Sequence, residues 1–212
     1  MGIVWDVVGE RRYETGVDHG VLYHPDNFAV PWNGLVSLSE DVGREVKSYY
    51  IDGVKYLEYQ VLGDYKATLK AFTYPDGFDD LIGDAYFAPG VYVHDQRARP
   101  FSLSYRTKDA DDLNSDEYKL HLIYNVLATP GTSEYATLSD KADVAPLEWT
   151  LSGTPPQVTG IRPTSHITLH SRSIDPELLS QLELQLYGDD SNAPYLMELP
   201  NLLTYIESFY AG

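Results

Sequence analysis

The side chains able to do chemistry are limited in kind. Cysteine is absent, which removes disulfides, thiolate nucleophiles and Cys-based zinc or iron–sulfur sites together. Six histidines remain: His19, His24, His94, His121, His166 and His170. His166 and His170 share one face of an alternating stretch with Thr168 between them, but the rise of a strand sets them about 13 Å apart, too far for one metal ion. His121 has the opposite parity from Leu120, Leu122 and Tyr124 and is expected to be hydrogen-bonded or facing solvent. The acidic run from Asp109 to Glu117 places Asp112, Asn114 and Asp116 at the first three ligand positions of an EF-hand loop. Its sixth position is Glu117 where Gly is required and its twelfth is Ile123 where a bidentate Glu belongs, so a solvated turn is expected, with calcium binding at 109–117 in another geometry left open. There is no Gly-rich phosphate loop, no GK pair, no HExxH and no GxSxG. With 32 carboxylates, some pair will fall at glycosidase-like spacing by chance. The expectation is therefore no catalytic, cofactor-binding or metal-binding residue, no cofactor, and a protein that is not an enzyme.

The elements that position these side chains must come from one folded domain, with arms at most. The 212 residues are 43% hydrophobic and 22% charged, near globular averages. Charge is the unusual feature: 15 Lys and Arg against 32 Asp and Glu give −17, with a pI of about 4.5. Few cations are left to grip phosphates or anionic lipid, so neither nucleic-acid nor membrane-surface binding is expected. Residues 118–172 balance four acids with four bases and should be mostly core, whereas 173–212 carry seven acids and no base. Residues 1–18 hold six charges and no apolar run, so no export signal is legible.

Strand patterns dominate. Residues 101–107 alternate apolar with polar, as do 147–151 and 166–170. Residues 118–128 are nearly continuously apolar and β-favouring, which predicts a strand buried on both faces at the sheet centre. Ser48-Tyr49-Tyr50-Ile51 and Val54-Lys55-Tyr56-Leu57 flank Asp52-Gly53, a strong type I′ hairpin signal. Another strand spans 65–74. Residues 76–98 and 108–116 read as long loops or arms. Two helices are legible: 175–187, with Asp175 as cap, Pro176 at the first turn and Gly188 as stop, and 199–210, with Leu199, Leu202, Leu203, Ile206, Phe209 and Tyr210 on one stripe. The economical architecture is mainly β: a two-sheet antiparallel β-sandwich or flattened barrel with a flanking α-helix and a C-terminal helix. Its parts are an N-terminal arm (1–20), a β-sandwich domain (21–188) and an acidic C-terminal extension (189–212).

Several segments, in order, resemble the major tail proteins, or tail tube subunits, of long-tailed non-contractile phages of actinobacteria. Val17-Asp18-His19-Gly20-Val21-Leu22-Tyr23 and Val30 to Glu40 match the family's opening. Tyr50 to Leu57, Ala67 to Pro75, Leu103 to Thr107, Lys119 to Asn125, Arg162 to His166 and Asp175 to Leu179 follow in series. The likeness covers roughly residues 15–190 and is weakest after Gly188. It implies a structural virion protein that forms homohexameric rings stacked into a tail tube, a conduit for DNA that passes without specific binding. The implied partners are copies of itself, a tape measure protein, and tail terminator and distal tail proteins at the tube ends, with no membrane. The implied location is the virion tail, after assembly in the host cytoplasm. The arm 1–20 and the loop 76–98 are expected to order on assembly.

A carbohydrate-binding β-sandwich is the competing reading, with Trp5, Trp32 and Trp149 as candidate platforms. Burial of Trp149, at a core-parity position, and of Trp32, after Pro31, is favoured over that role.

Overall fold

A computed structural model describes residues 2–41, 43–113, 116–133 and 145–211. Its axis is a 13-residue strand, β10 (Tyr118–Pro130), flanked by the antiparallel β9 (Phe101–Asp111) on one side. On its other side β12 (His166–His170) pairs with residues 119–123 and β11 (Leu147–Gly153) with residues 126–130. The sheet forks there because Asn125 adopts a left-handed backbone (φ 53°) and inserts a bulge between Ile123 and Val126. The bulge keeps Ile123 and Val126 on one face although their numbers differ by three. Asn125 holds the fork by donating its side-chain amide to the Thr154 carbonyl at 2.9 Å.

Outward from this axis the path continues through β1 (Arg12–His24) and β2 (Phe28–Pro31) beyond β9, and through β6 (Lys66–Ala71) and β3 (Leu35–Asp41) beyond β11. The expected mainly β, antiparallel class is thus what forms. Instead of two separate sheets, seven strands follow a single hydrogen-bonded path, with β12 as a branch on β10, and the path rolls on itself, bringing β1 against β3. Among the described residues no ladder joins those two strands.

Rolling makes two cores from alternate residues of the same strands. Inside lie Leu22, Leu69, Leu103, Ile123, Val126, Trp149 and Leu151. Outside, Tyr23, Leu120, Leu122, Tyr124 and Leu169 meet Leu178, Leu179, Leu182 and Leu186 of α2 (Pro176–Tyr187) and Leu199 and Leu202 of α3 (Leu199–Ala211). Asp175 caps α2 by accepting from the Glu177 and Leu178 amides, as its sequence predicts. The C-terminal segment, read as an extension, is therefore part of the outer core. The Tyr210 hydroxyl also accepts from the Asp175 amide at 3.0 Å.

Three segments differ from their sequence reading. Residues 12–20, assigned to the arm, belong to β1, and 108–111, read as loop, extend β9. Residues 76–98, read as a long loop, hold a short helix α1 (Phe78–Ile82) and a hairpin of β7 (Ala85–Ala88) and β8 (Val91–Val93). The segment lacks a periodic pattern because its inward side chains are the few of one short turn: Phe78 and Leu81, both fully buried, with Ile82 packed beside them. The Phe78 ring meets Trp32, Trp149 and Phe101 edge-on at 4.6, 5.3 and 5.6 Å. The Asp52-Gly53 hairpin forms as predicted, joining β4 (Arg44–Ile51) to β5 (Val54–Leu62) with φ of 50° and 77° at its two turn residues.

Because Phe78 plugs the inner core, Phe78→Ala should cost about 3–5 kcal/mol in urea unfolding, whereas Phe87→Ala, on the exposed β7–β8 turn, should leave the monomer's stability within about 0.5 kcal/mol of the parent.

Candidate functional site

At one end of the roll, where β1 and β3 meet without pairing, the inner face turns polar. Ladder register decides who meets there: His121 stands opposite Tyr105 on β9 and Thr168 on β12. The Tyr105 and His121 rings stack at 4.6 Å with 3° between their planes. His166, two residues before Thr168, projects to the same place, with its Nε2 3.0 Å from His121 Nδ1. Glu40, near the end of β3, reaches in from the opposite wall. Its Oε1 accepts from both the Tyr65 and Tyr105 hydroxyls at 2.8 Å, and its Oε2 lies 3.4 Å from His166 Nδ1.

The chain of contacts continues on the other side of His121. Thr107 Oγ1 lies 2.9 Å from His121 Nε2 and donates its single proton to Glu14 at 2.6 Å, and the Lys119 ammonium binds the same Glu14 carboxylate. Since Thr107 spends its proton on Glu14, it can only accept from His121 Nε2–H, which leaves the Nδ1 lone pair of a neutral His121 aimed inward. Burial, reinforced by the neighbouring His166, lowers the His121 pKa to about 4. Burial likewise lowers that of His166, against the pull of Glu40. Both rings are therefore neutral at pH 7. Burial would raise the Glu14 pKa, but the hydrogen bonds from Lys119 and Thr107 outweigh it and hold the group below its usual range. Burial first and Glu40 second push the Tyr65 and Tyr105 phenols far up, so both stay protonated donors.

Glu40, His121 and His166 each offer one ligand atom, and the three atoms lie within 4.8 Å of one another, the one such triad among the described residues. A cleft of ≈ 340 Å³ along the seam is lined by Glu14, Glu40, Tyr105, Thr107 and His121 among others. His166 and His170 stay separate, as their spacing predicts: His170 is exposed while His166 joins the cluster. His121 is buried and hydrogen-bonded, one of the two states its parity allowed. The convergence of residues 40, 121 and 166 has no local spacing and was not legible in the sequence. In the acidic hairpin Asp112 accepts from the Gly9 amide at 2.7 Å, while Asn114 lies outside the described residues.

The outer surface carries a second feature. Among the described residues the β4–β5 ribbon pairs only with itself, separate from the eight-stranded sheet. Its register puts Tyr49, Leu57, Tyr59 and Val61 on one face together with Lys47 and Glu45, and Val46, Ser48, Glu58 and Gln60 on the other. Tyr49 and Tyr59 stack at 6.0 Å, yet Tyr49, Leu57 and the turn-proximal Tyr50, Ile51, Val54 and Tyr56 are all at least half exposed. The N-terminal residues Ile3, Val4 and Trp5 and the hairpin residues Tyr86 and Phe87 are exposed as well. Of the three Trp residues, Trp32 and Trp149 are in the core, leaving Trp5 alone on the surface. No helix among the described residues is long and apolar enough to cross a membrane.

No protein-family model matches the sequence, and no curated protein matches it. Among solved structures, the chain aligns with the sheath/tube terminator of an extracellular contractile injection system in its extended state, at 13% identity and a TM-score of 0.34, over 79% of this chain and 99% of the other. It also aligns with a chain of that system's extended sheath–tube complex, at 16% identity and a TM-score of 0.38, over 72% and 88%. At such scores neither likeness assigns a function.

Thr107→Val should destabilise the protein by about 1–3 kcal/mol in urea unfolding, because it strands the His121 Nε2–H and removes a donor from Glu14 at once.

Proposed function

We propose that this chain is a self-assembling structural subunit of a phage-type tail tube, forming hexameric rings that stack. The observation that carries the reading is the β4–β5 ribbon. A two-stranded hairpin is marginal alone in water, and one of 8 and 9 residues with exposed Tyr49, Tyr50, Ile51, Val54, Tyr56 and Leu57 toward its turn and two open edges needs a partner. The ribbon's own fold supplies none: its strands pair only with each other. A neighbouring copy would complete it by pairing an edge and covering the exposed Tyr49, Leu57 and Tyr59. The exposed apolar arm around Trp5 and the β7–β8 turn give further contacts for adjacent copies. The serial resemblance to tail tube subunits supports the same reading. Both aligned injection-system structures come from tube-containing assemblies too, but the reading stands on the ribbon and the resemblance.

In this reading the partners are other copies of the chain, a tape measure protein inside the tube, and terminator and distal tail proteins at its ends. DNA passes through without being held, and the protein resides in the virion tail after assembly in the host cytoplasm. The charge balance supports a conduit: six copies at −17 give a ring of −102, with few cations to bind a passing polyanion. The carbohydrate-binding alternative loses two of its three aromatic platforms, since Trp32 and Trp149 are buried and only Trp5 is exposed.

Electron microscopy of the concentrated protein should show hollow tubes or six-fold rings. Leu57→Glu should abolish them without altering the monomer's melting temperature; tubes that persist in that variant, or a parent that stays strictly monomeric, contradict the reading. Because the subunits repel one another and salt screens charges beyond about 8 Å at physiological strength, assembly measured by light scattering should strengthen from low to moderate salt.

A further inference from the structure

We propose that Glu40, His121 and His166 form a binding site for one divalent transition-metal ion, with Zn²⁺ the best match, at the seam of the rolled sheet. Two imidazoles and a carboxylate are a common zinc ligand set and suit neither calcium nor magnesium, which take oxygen ligands. The inference does not depend on the tube reading.

Geometry is the first support. Zinc bonds of about 2.0–2.1 Å place tetrahedral ligand atoms about 3.4 Å apart. The separation of His166 Nδ1 from Glu40 Oε2, 3.4 Å, already has this value, while the 3.0 Å contact of His121 Nδ1 is to the other ring nitrogen of His166, Nε2, which the same ion would not take. All three residues present an atom within 4.8 Å of the others, so side-chain rotations of about an ångström bring them onto one centre. The contact given up is the His121–His166 hydrogen bond.

The second support is the surrounding shell. A metal-bound histidine typically gives its other ring N–H to an acceptor that fixes the tautomer. His121 Nε2–H has such an acceptor in Thr107, itself anchored on Glu14 and Lys119. A ligating carboxylate is usually hydrogen-bonded in turn, and two tyrosine hydroxyls occupy Oε1 of Glu40, leaving Oε2 for a metal. Without a cation, an unprotonated His166 that gives its Nε2–H to His121 or Thr168 turns its Nδ1 lone pair toward Glu40 Oε2, two acceptors face to face. The adjoining cleft admits water as a fourth ligand.

The three ligands sit on β3, β10 and β12, far apart in sequence. A bound ion would cross-link the roll where β1 and β3 leave it unladdered, so the effect is structural. The test uses untagged full-length protein stripped with chelator and titrated calorimetrically with Zn²⁺, with Co²⁺ absorption as a spectroscopic check. Expected are one equivalent bound, an upward shift of the melting temperature by several degrees, and the visible bands of Co²⁺ in a low-coordinate nitrogen and oxygen site. His121→Gln and His166→Gln should each lower affinity at least about a hundredfold, Tyr105→Phe about tenfold, and His94→Gln, on an exposed ring, should change nothing. No saturable binding by the parent, a Co²⁺ spectrum no different from the aqueous ion, or binding undiminished in His121→Gln/His166→Gln overturns the proposal. The parent's Co²⁺ spectrum decides the matter even if a variant fails to fold.

Discussion

Everything in this molecule hangs on burying one strand from both sides. β10 feeds Leu120, Leu122 and Tyr124 to the helical side and Ile123, Val126 and Ala128 to the interior. A strand with that pattern cannot lie at an edge or face water. The left-handed Asn125 then lets its two halves take different neighbours, β12 and β11, along one side. The roll, the helical cover and the polar seam are consequences of that fork. Where β12 diverges from β11 the interior widens, and the space is filled by Tyr65, Tyr105, His121 and His166 rather than by aliphatic side chains.

How much of this was legible depends on whether the signal was local. The two-sided burial of 118–128 predicts a central strand because periodicity reports directly on burial. Asp52-Gly53 predicts its turn because only a few residue types adopt positive φ in succession. The α2 boundaries are set by Asp175, Pro176 and Gly188 within one turn of the helix. What could not be read is what long-range pairing decides. Residues 12–20 carry three charges and two glycines and form a strand only because β9 supplies hydrogen bonds along Arg12 to Asp18. α1 is five residues long, too short to show a periodic face, and is held by the Phe78 plug. The cluster of Glu40, His121 and His166 joins positions 81 and 45 residues apart, a separation that no spacing rule reaches.

The surface and the interior divide the work. The inner and outer cores leave no buried role for the ribbon, the arm around Trp5 or the β7–β8 turn, so their apolar side chains are surplus to folding. Surplus apolar surface on a monomer marks an interface. A chain so acidic resists association at long range, and only short-range burial and edge pairing can overcome it. In the proposed reading, that combination suits a tube wall that forms under defined conditions and lets a polyanion pass.

The claim that β4–β5 is an assembly element, idle in the single subunit, is tested most directly by amide hydrogen exchange followed by mass spectrometry in the isolated and assembled protein. The account predicts that residues 44–62 exchange rapidly in the isolated subunit and become strongly protected on assembly, while residues 118–130 are protected in both. Equal exchange of 44–62 in the two states would contradict it.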